Sequence, residues 1–218
     1  MHSDHAALYP DLAAYVRSAE ADQHLIPADR RKVLERLAEV IRTKLAAGEP
    51  ARLVFICTHN SRRSHLAQVW AETAAFVHGV GGVETFSGGT EATAFDRRAV
   101  AALQRAGFRV ERSGDGENPV YAVTFSDRLE PMACFSKRYD RPPNPQSGYC
   151  AVMTCAAADE ACPVVLGAAE RIALRYDDPK NHDGTPGEQA AYDARCRQIA
   201  TEMVFVLGTA ASASRSAP

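Results

Sequence analysis

Two hydrophobic periodicities divide the chain near residue 50. Residues 1–50 are predicted to be helical, because apolar positions recur three and four residues apart, as at Leu34, Leu37 and Ile41. Pro27 marks the start of the second predicted helix, and the Gly-Glu-Pro sequence at 48–50 marks its end. The pattern therefore predicts an N-terminal helical extension. Its apolar stripe either covers the main domain or forms a homodimer contact.

After residue 50, short β-branched and aromatic runs alternate with helical patterns. The strand-like runs are ARLVFIC, GGVETFSGG, GYCAVMTC and ERIALRYD, and the last helix is PGEQAAYDARCRQIATEMVFVLG. Strands that alternate with helices predict a parallel sheet with helices on both faces. The predicted fold class is α/β, with four parallel strands in a main domain at 51–208. Ligands of such sheets bind beyond the carboxyl ends of the strands.

Two segments depart from this alternation. Residues 113–149 are rich in turn residues, with VYAVTFS between them, and we predict an inserted loop or hairpin there. The alanine- and serine-rich residues 209–218 predict a disordered tail.

Composition narrows the function classes. The 218 residues are 46% hydrophobic and 24% charged, which is typical of a soluble globular protein. A net charge of -2 provides no basic field for nucleic acid, and no apolar run is long enough to span a bilayer. Without the plan of a signal peptide at the N-terminus, we expect no membrane partner and a cytoplasmic location.

Six cysteines are too few for a secreted disulfide scaffold. They lie at 57, 134, 150, 155, 162 and 196, without a Cys-x-x-Cys pair or a histidine placed to complete a zinc site. We therefore predict neither a metal nor another cofactor, and the cysteines are expected to be catalytic or buried.

The stretch LVFICTHNSRRSHLAQVW carries the most specific chemistry. Cys57 ends the first predicted strand, and a short loop leads into a helix that begins near Ser64. Loop amides and the helix N-terminus together favour a tetrahedral oxyanion, and the same field favours the nucleophilic thiolate of Cys57. Arg63 can offer a bidentate fork to two oxyanion oxygens. The predicted oxyanion-binding set is Thr58, His59, Asn60, Ser61, Arg62, Arg63 and Ser64.

Three segments resemble one family. VFICTHNSRRSHLAQVWAE resembles the phosphate-binding loop of low-molecular-weight protein tyrosine phosphatases and of the arsenate reductases that share their fold. FSGGTEATAFDRRAVAALQRAGF resembles their second strand and helix, and YDDP resembles their acid loop. The resemblance implies that Asp178, stiffened by the following proline, protonates the leaving group, with Asp177 as the adjacent alternative.

A second cysteine pair resembles the redox segment of thioredoxin-coupled arsenate reductases. In CAVMTCAAADEACPVV, Cys155 follows a strand and Cys162 follows a short helical segment. The resemblance implies a relay from Cys57 to Cys155 to Cys162, arsenate as the oxyanion, and thioredoxin as the expected reductant. Seven helical residues span roughly 10 Å, whereas disulfide Cα atoms lie roughly 4.4 to 6.8 Å apart, so this segment must unwind.

Two other functions stay open at this stage. A phosphomonoester or phosphotyrosine phosphatase would use Cys57, Arg63 and Asp178 alone, although DDPKNHDG lacks the aromatic wall usual in such phosphatases. A non-catalytic oxyanion or redox sensor would bind arsenate or phosphate without turnover. His59 and Arg62 stand where the reductases commonly have glycine and cysteine.

Some side chains receive weaker predictions. The potassium ion of some related reductases would correspond to Asn60 and Ser87, but Gln68 stands where a carboxylate is expected. Cys134 is an alternative redox partner, whereas Cys150 and Cys196 are expected to be core or surface residues. We expect His65 and His182 to be solvated.

Overall fold

The fold is taken from a computed structural model, which describes residues 4–162 and 164–214. The helices are α1 (Pro10–Ala21), α2 (Ala28–Ala46), α3 (Arg63–His78), α4 (Arg97–Arg105), α5 (Ala156–Ala161) and α6 (Glu188–Ser214). The strands are β1 (Ala51–Cys57), β2 (Val83–Gly89), β3 (Arg109–Ser113), β4 (Val120–Thr124), β5 (Met132–Cys134), β6 (Tyr149–Met153) and β7 (Ala168–Ala173).

Four parallel strands form the central sheet in the order β2-β1-β6-β7. The α/β fold class with four parallel strands is therefore confirmed. Central strands of parallel sheets are buried on both faces, which explains why β1 is apolar along almost its whole length. Leu53 and Phe55 face the larger core, whereas Val54 and Ile56 face a smaller one on the other side.

The N-terminal helices share the larger core with the main domain. Leu12 of α1 and Leu34, Leu37 and Ile41 of α2 are buried in the same cluster as Phe55 of β1. Both helices pack against α6. The apolar stripe thus covers the sheet domain, which was one of its two predicted uses. A homodimer contact stays a prediction and would have to use the outer faces of these helices.

The segment predicted as an insertion at 113–149 contains β4 and β5 of a second sheet, whose first strand, β3, begins earlier at Arg109. Strands β3, β4 and β5 pair antiparallel in that order. Its last part returns to the main sheet, because Arg138 forms a parallel bridge with Gly89 at the end of β2. This contact brings the segment beside the loop that follows Cys57.

The predicted disordered tail is wrong for residues 209–214, because α6 continues to Ser214. Alanine is the best helix former, and Ala210 is buried in the core, so packing extends the helix beyond Gly208. Residues 215–218 lie outside the described residues. Within 4–162 and 164–214, none of the helices has the length and apolar character needed to cross a bilayer.

Candidate active site

The carbonyl groups of the loop after Cys57 are held by the surrounding chain. Cys57 is the last residue of β1 and is only 3% exposed. The carbonyls of Cys57, Thr58, His59 and Ser61 accept hydrogen bonds from the surrounding chain, from the donors Thr90 N, Glu91 N, Ser136 Oγ and Asp96 N at 2.8–3.1 Å. In a trans peptide the N–H points opposite to the C=O. The amides of the following residues therefore point inward, as an oxyanion site requires.

Asn60 braces this loop. It is fully buried and has φ of 45°, in the left-handed region that asparagine tolerates better than most residues. Its Nδ2 donates to Ser64 Oγ at 2.9 Å, and its Oδ1 accepts from Lys137 N at 2.9 Å. Ser64 Oγ lies 3.1 Å from Cys57 Sγ. Since Ser64 accepts from Asn60, its own hydrogen is free to be donated to the sulfur.

Gly89, the last residue of β2, allows the loop to pack closely. A Cβ atom at this position would lie 2.7 Å from both Asn60 N and Thr58 O. Any larger residue would push the loop away from the sheet edge. The glycine pair in the FSGG sequence therefore has a packing role at the site.

Asp178 receives both loop arginines. Its Oδ1 lies 2.9 Å from Arg62 Nε, and its Oδ2 lies 2.7 Å from Arg63 Nη2. Asp177 points away instead: its side chain is 95% exposed and pairs only loosely with Arg195, at 3.3 Å. Of the two candidate acids, the structure brings Asp178 to the loop.

Arg62 links two segments of the site. Besides Asp178, its guanidinium contacts Asp96 at 3.4 Å, and its side chain is only 10% exposed. Asp96 is also the N-cap of α4, where its carboxylate accepts from Arg98 N. The extra arginine of the loop therefore ties the acid loop to the start of α4. This role had no signal in the sequence.

The structure brings Cys155 to the loop. Its Sγ is 3.5 Å from Thr58 Oγ1, and it belongs to the same buried cluster as Cys57. Cys155 is the N-cap of α5, and Cys162 is its half-buried C-cap. Cys162 packs at the edge of this cluster beside Tyr139, and burial together with the Cys162 thiol raises the pKa of that tyrosine.

The remaining cysteines are buried thiols. Burial raises the pKa of Cys134 to about 12, of Cys150 to about 12 and of Cys196 to about 11. Because the thiolate is the reactive form, these side chains are poorly suited to redox exchange. Cys150 and Cys196 are predicted to be core or surface residues, and both lie in the core.

His65 is buried, so its predicted solvation is wrong. Its ring stacks on Phe95 with centroids 4.1 Å apart, and its Nδ1 lies 3.2 Å from Ser87 Oγ. Burial, and secondarily Lys137, lowers the pKa of His65 well below its usual value, so the ring is neutral. The segment that carries Lys137 packs over this face of α3, which the helix sequence alone does not reveal. His182 is exposed, as predicted.

The residues that correspond to a potassium site supply no charged ligand. Asn60 Oδ1 is already taken by Lys137 N, and Ser87 pairs with His65. Gln68 supplies no carboxylate, and its Nε2 donates to Thr85 O. Among the described residues, no three His, Cys, Asp or Glu side chains form a metal-binding group.

Two sequence comparisons show which proteins this chain resembles. Residues 52–118 match the model of the low molecular weight phosphotyrosine protein phosphatases. A relative named arsenate reductase, from Bacillus licheniformis, is 25% identical over 152 residues, which cover 70% of this chain and 91% of the relative. The sequence is thus similar to low molecular weight phosphatases over residues 52–118, and to an arsenate reductase over a longer stretch.

Solved structures of two phosphatases align with this chain at low identity. A low molecular weight phosphotyrosine phosphatase from Vibrio cholerae O395 is 14% identical, with a TM-score of 0.49 and coverage of 76% of this chain and 97% of that one. The arginine phosphatase YwlE from Geobacillus stearothermophilus is 17% identical, with a TM-score of 0.47 and coverage of 77% and 94%.

Beside the phosphatase-type loop lies a cleft of about 920 Å³. Arg63, Asp178 and Cys155 line its inner end. Its outer wall comes from the N-terminal extension, at Leu25, Ile26 and other residues, and from α6. Leu25 is 66% exposed at this wall. The approach of the N-terminal helices to the site had no signal in the sequence, because Leu25 and Asp178 are far apart along the chain.

Proposed function

We propose that this enzyme reduces arsenate to arsenite through Cys57, Cys155 and Cys162. The observation that carries the proposal is the position of Cys155, whose sulfur lies 3.5 Å from the hydroxyl of Thr58 in the oxyanion loop. The relay requires a second thiol at this place, whereas hydrolysis of a phosphomonoester uses water as its second nucleophile. The arsenate reductase relative supports the same reading.

In the first step, the Cys57 thiolate attacks the arsenic atom of arsenate. A sulfur–arsenic bond forms, and one arsenate oxygen leaves as water after it receives a proton, which Asp178 is placed to give. An oxyanion in the loop offers Arg63 a second anionic partner besides Asp178. We expect Arg63 to turn towards it and to free the carboxyl group for proton transfer.

In the second step, the Cys155 thiolate attacks Cys57 Sγ. The sulfur–arsenic bond breaks with its electron pair on arsenic, so arsenic(V) becomes arsenic(III) and leaves as arsenite. The two thiols lose two electrons and form the Cys57–Cys155 disulfide. Cys162 then attacks Cys155 and restores the Cys57 thiolate. A dithiol protein of the thioredoxin class reduces the Cys155–Cys162 disulfide.

A second candidate is hydrolysis of a phosphomonoester by Cys57, Arg63 and Asp178. The cleft favours it, because about 920 Å³ is far more room than an inorganic oxyanion needs and falls in the range of organic ligand sites. Exposed Leu25 at its wall would contact the organic part of such a substrate. Water would then replace Cys155 as the second nucleophile.

The test is arsenate-dependent NADPH oxidation with thioredoxin and thioredoxin reductase, beside hydrolysis of p-nitrophenyl phosphate. We expect turnover of arsenate in the wild-type protein and its loss, by at least 100-fold, in Cys57→Ser, Cys155→Ser and Cys162→Ser. Cys150→Ala, which removes a buried thiol from the core, is the matched control and should keep turnover. Cys134→Ala tests the alternative redox partner and should also keep it.

The second candidate predicts the opposite pattern. Hydrolysis of p-nitrophenyl phosphate would survive Cys155→Ser and Cys162→Ser and disappear in Cys57→Ser, while arsenate would give no turnover. Arsenate or phosphate binding without either activity would indicate the sensor instead.

A further inference from the structure

A buried carboxylate lies on α5, between the two downstream cysteines. The side chain of Asp159 is only 3% exposed. Arg171 pairs with its Oδ1, and Arg175 Nε donates to its Oδ2 at 2.6 Å. Arg171 also donates to the carbonyl oxygens of Asp159, at 2.6 Å, and of Cys162, at 3.3 Å. Both arginines are partly exposed, with side-chain exposures of 30% and 50%.

These contacts anchor α5 to the sheet edge. Arg171 lies in β7, and Arg175 follows four residues later in a segment that stays extended, since Leu174 N and Tyr176 N donate to Met153 O and Thr154 O. Residues four apart in an extended chain point to the same side. Two guanidinium groups on one side of this edge therefore hold one short helix.

Little else holds α5 in place. The core beneath it is the smaller of the two, and among the described side chains of α5 Ala158 is the one buried in it, with Cys155 at the N-cap. An isolated helix of six residues is unstable in water, because its nucleation cost exceeds the few hydrogen bonds it forms. The ion pairs of Asp159 are thus the principal side-chain anchors between α5 and β7.

The ion pairs of Asp159 oppose the last step of the relay, in which Cys162 attacks Cys155. Cys155 and Cys162 flank α5 at its two ends. Seven residues of helix separate Cα atoms by roughly 10 Å, and a disulfide needs roughly 4.4 to 6.8 Å. Cys155 can reach Cys162 only if α5 unwinds, and the Asp159 carboxylate must then leave at least one of its arginines.

We propose that Asp159, held by Arg171 and Arg175, is a positioning residue that keeps Cys155 against the oxyanion loop until the Cys57–Cys155 disulfide has formed. The same contacts must open before Cys162 attacks. The effect on the relay rests on the proposed reductase function. The effect on the conformation of α5 does not rest on that function. A test can therefore distinguish failure of this proposal from failure of the reductase function.

The experiment compares Asp159→Asn with Glu160→Gln, an equal loss of charge at the exposed neighbouring residue of the same helix. In the reduced proteins, we measure hydrogen exchange of the amides at 156–161 and iodoacetamide labelling of Cys155 by peptide mass spectrometry. Asp159→Asn should speed both by at least 10-fold, and Glu160→Gln should leave both unchanged. Asp159→Glu, which keeps the charge, should recover part of the protection.

A single turnover with arsenate, without external reductant, then resolves the relay. Timed quenching with iodoacetamide and disulfide mapping follow arsenite release and the transfer to Cys155–Cys162. In Asp159→Asn, arsenite release should slow because Cys155 is no longer held at the loop, and the later transfer should become faster. A residue with only a structural role would slow both steps together and lower the melting temperature.

Unchanged exchange and labelling in Asp159→Asn would overturn the proposal, and so would equal slowing of both steps. If the wild-type protein releases no arsenite, the reductase function fails. Faster exchange and labelling of Cys155 in Asp159→Asn would still establish the anchor in that case.

Discussion

At the residue scale, one side chain joins three parts of the site. Asn60 belongs to the loop, donates to Ser64 at the start of α3, and accepts from Lys137 in the segment after β5. Ser64 in turn contacts Cys57 Sγ. Asn60 therefore controls both the backbone shape of the loop and the direction of the hydroxyl that faces the nucleophile.

The substitution Asn60→Asp tests this control with little change in size. The new carboxylate can only accept from Ser64, so it would take the hydroxyl hydrogen away from Cys57 and add a negative charge beside the sulfur. We expect iodoacetamide labelling of Cys57 at neutral pH, and turnover, to fall roughly 10- to 100-fold. Ser64→Ala should change labelling in the same direction. Unchanged labelling in both variants would contradict this role of the hydroxyl.

At the element scale, the N-terminal helices are fixed to α6 and to the acid loop. Arg30 of α2 forms two hydrogen bonds with Glu202 of α6, at 2.8 and 2.9 Å, and also donates to Arg175 O. Its guanidinium lies 4.6 Å from the ring centre of Tyr176, which immediately precedes the two aspartates of the acid loop. The wall of the cleft and the acid loop are thus held by the same arginine.

We expect Glu202→Gln to lower the free energy of unfolding by about 3 kcal/mol, because it leaves a partly buried arginine without its charged partner. Glu202 is only 4% exposed, so water cannot compensate fully. The double variant Arg30→Met with Glu202→Leu should cost less than the sum of Arg30→Met alone and Glu202→Leu alone. Urea unfolding measures all four variants. The exposed pair of Lys32 and Asp29 supplies the control, and Asp29→Asn should leave stability unchanged.

Additive effects of the single changes would mean that the two side chains act independently. A Glu202→Gln protein as stable as the wild type would mean that solvent reaches Arg30. Either result would remove the ion pair as the anchor of the cleft wall.

At the scale of the whole molecule, the N-terminal helices and the sheet domain have one continuous larger core. Leu12, Leu34 and Ile41 are fully buried in the cluster that contains the sheet residues Phe55 and Val152. The sequence pattern changes at residue 50, but the residues before and after this point pack into the same core.

Removal of residues 1–46 should consequently leave the rest of the chain unable to fold stably. The removal would expose to water the apolar faces of β1 and α6 that α1 and α2 cover. Each Å² of apolar surface left exposed costs roughly 25 cal/mol of folding free energy. Circular dichroism and size-exclusion chromatography should show an aggregated or molten protein. A soluble, cooperatively folding fragment with full activity would contradict this.

The predicted homodimer is tested on the full chain, by size-exclusion chromatography with light scattering.

The sequence by itself determined the local features of this protein. The alternation of apolar runs and helical patterns identified the four parallel strands, and the position of Cys57 at the end of a strand identified the loop. These features arise from residues that are close together in the sequence, so the local periodicity of apolar residues is enough to predict them. The turn-rich composition of 113–149 likewise indicated a hairpin but not its three-stranded sheet.

Only the tertiary structure decided how distant segments meet. It brought Asp178 rather than Asp177 to the loop, buried His65 beneath the segment that carries Lys137, and packed Ala210 into a helix where composition had indicated disorder. It also set Asp159 between Arg171 and Arg175. Each of these outcomes depends on which distant segments of the chain pack together. The local sequence pattern does not reveal those contacts.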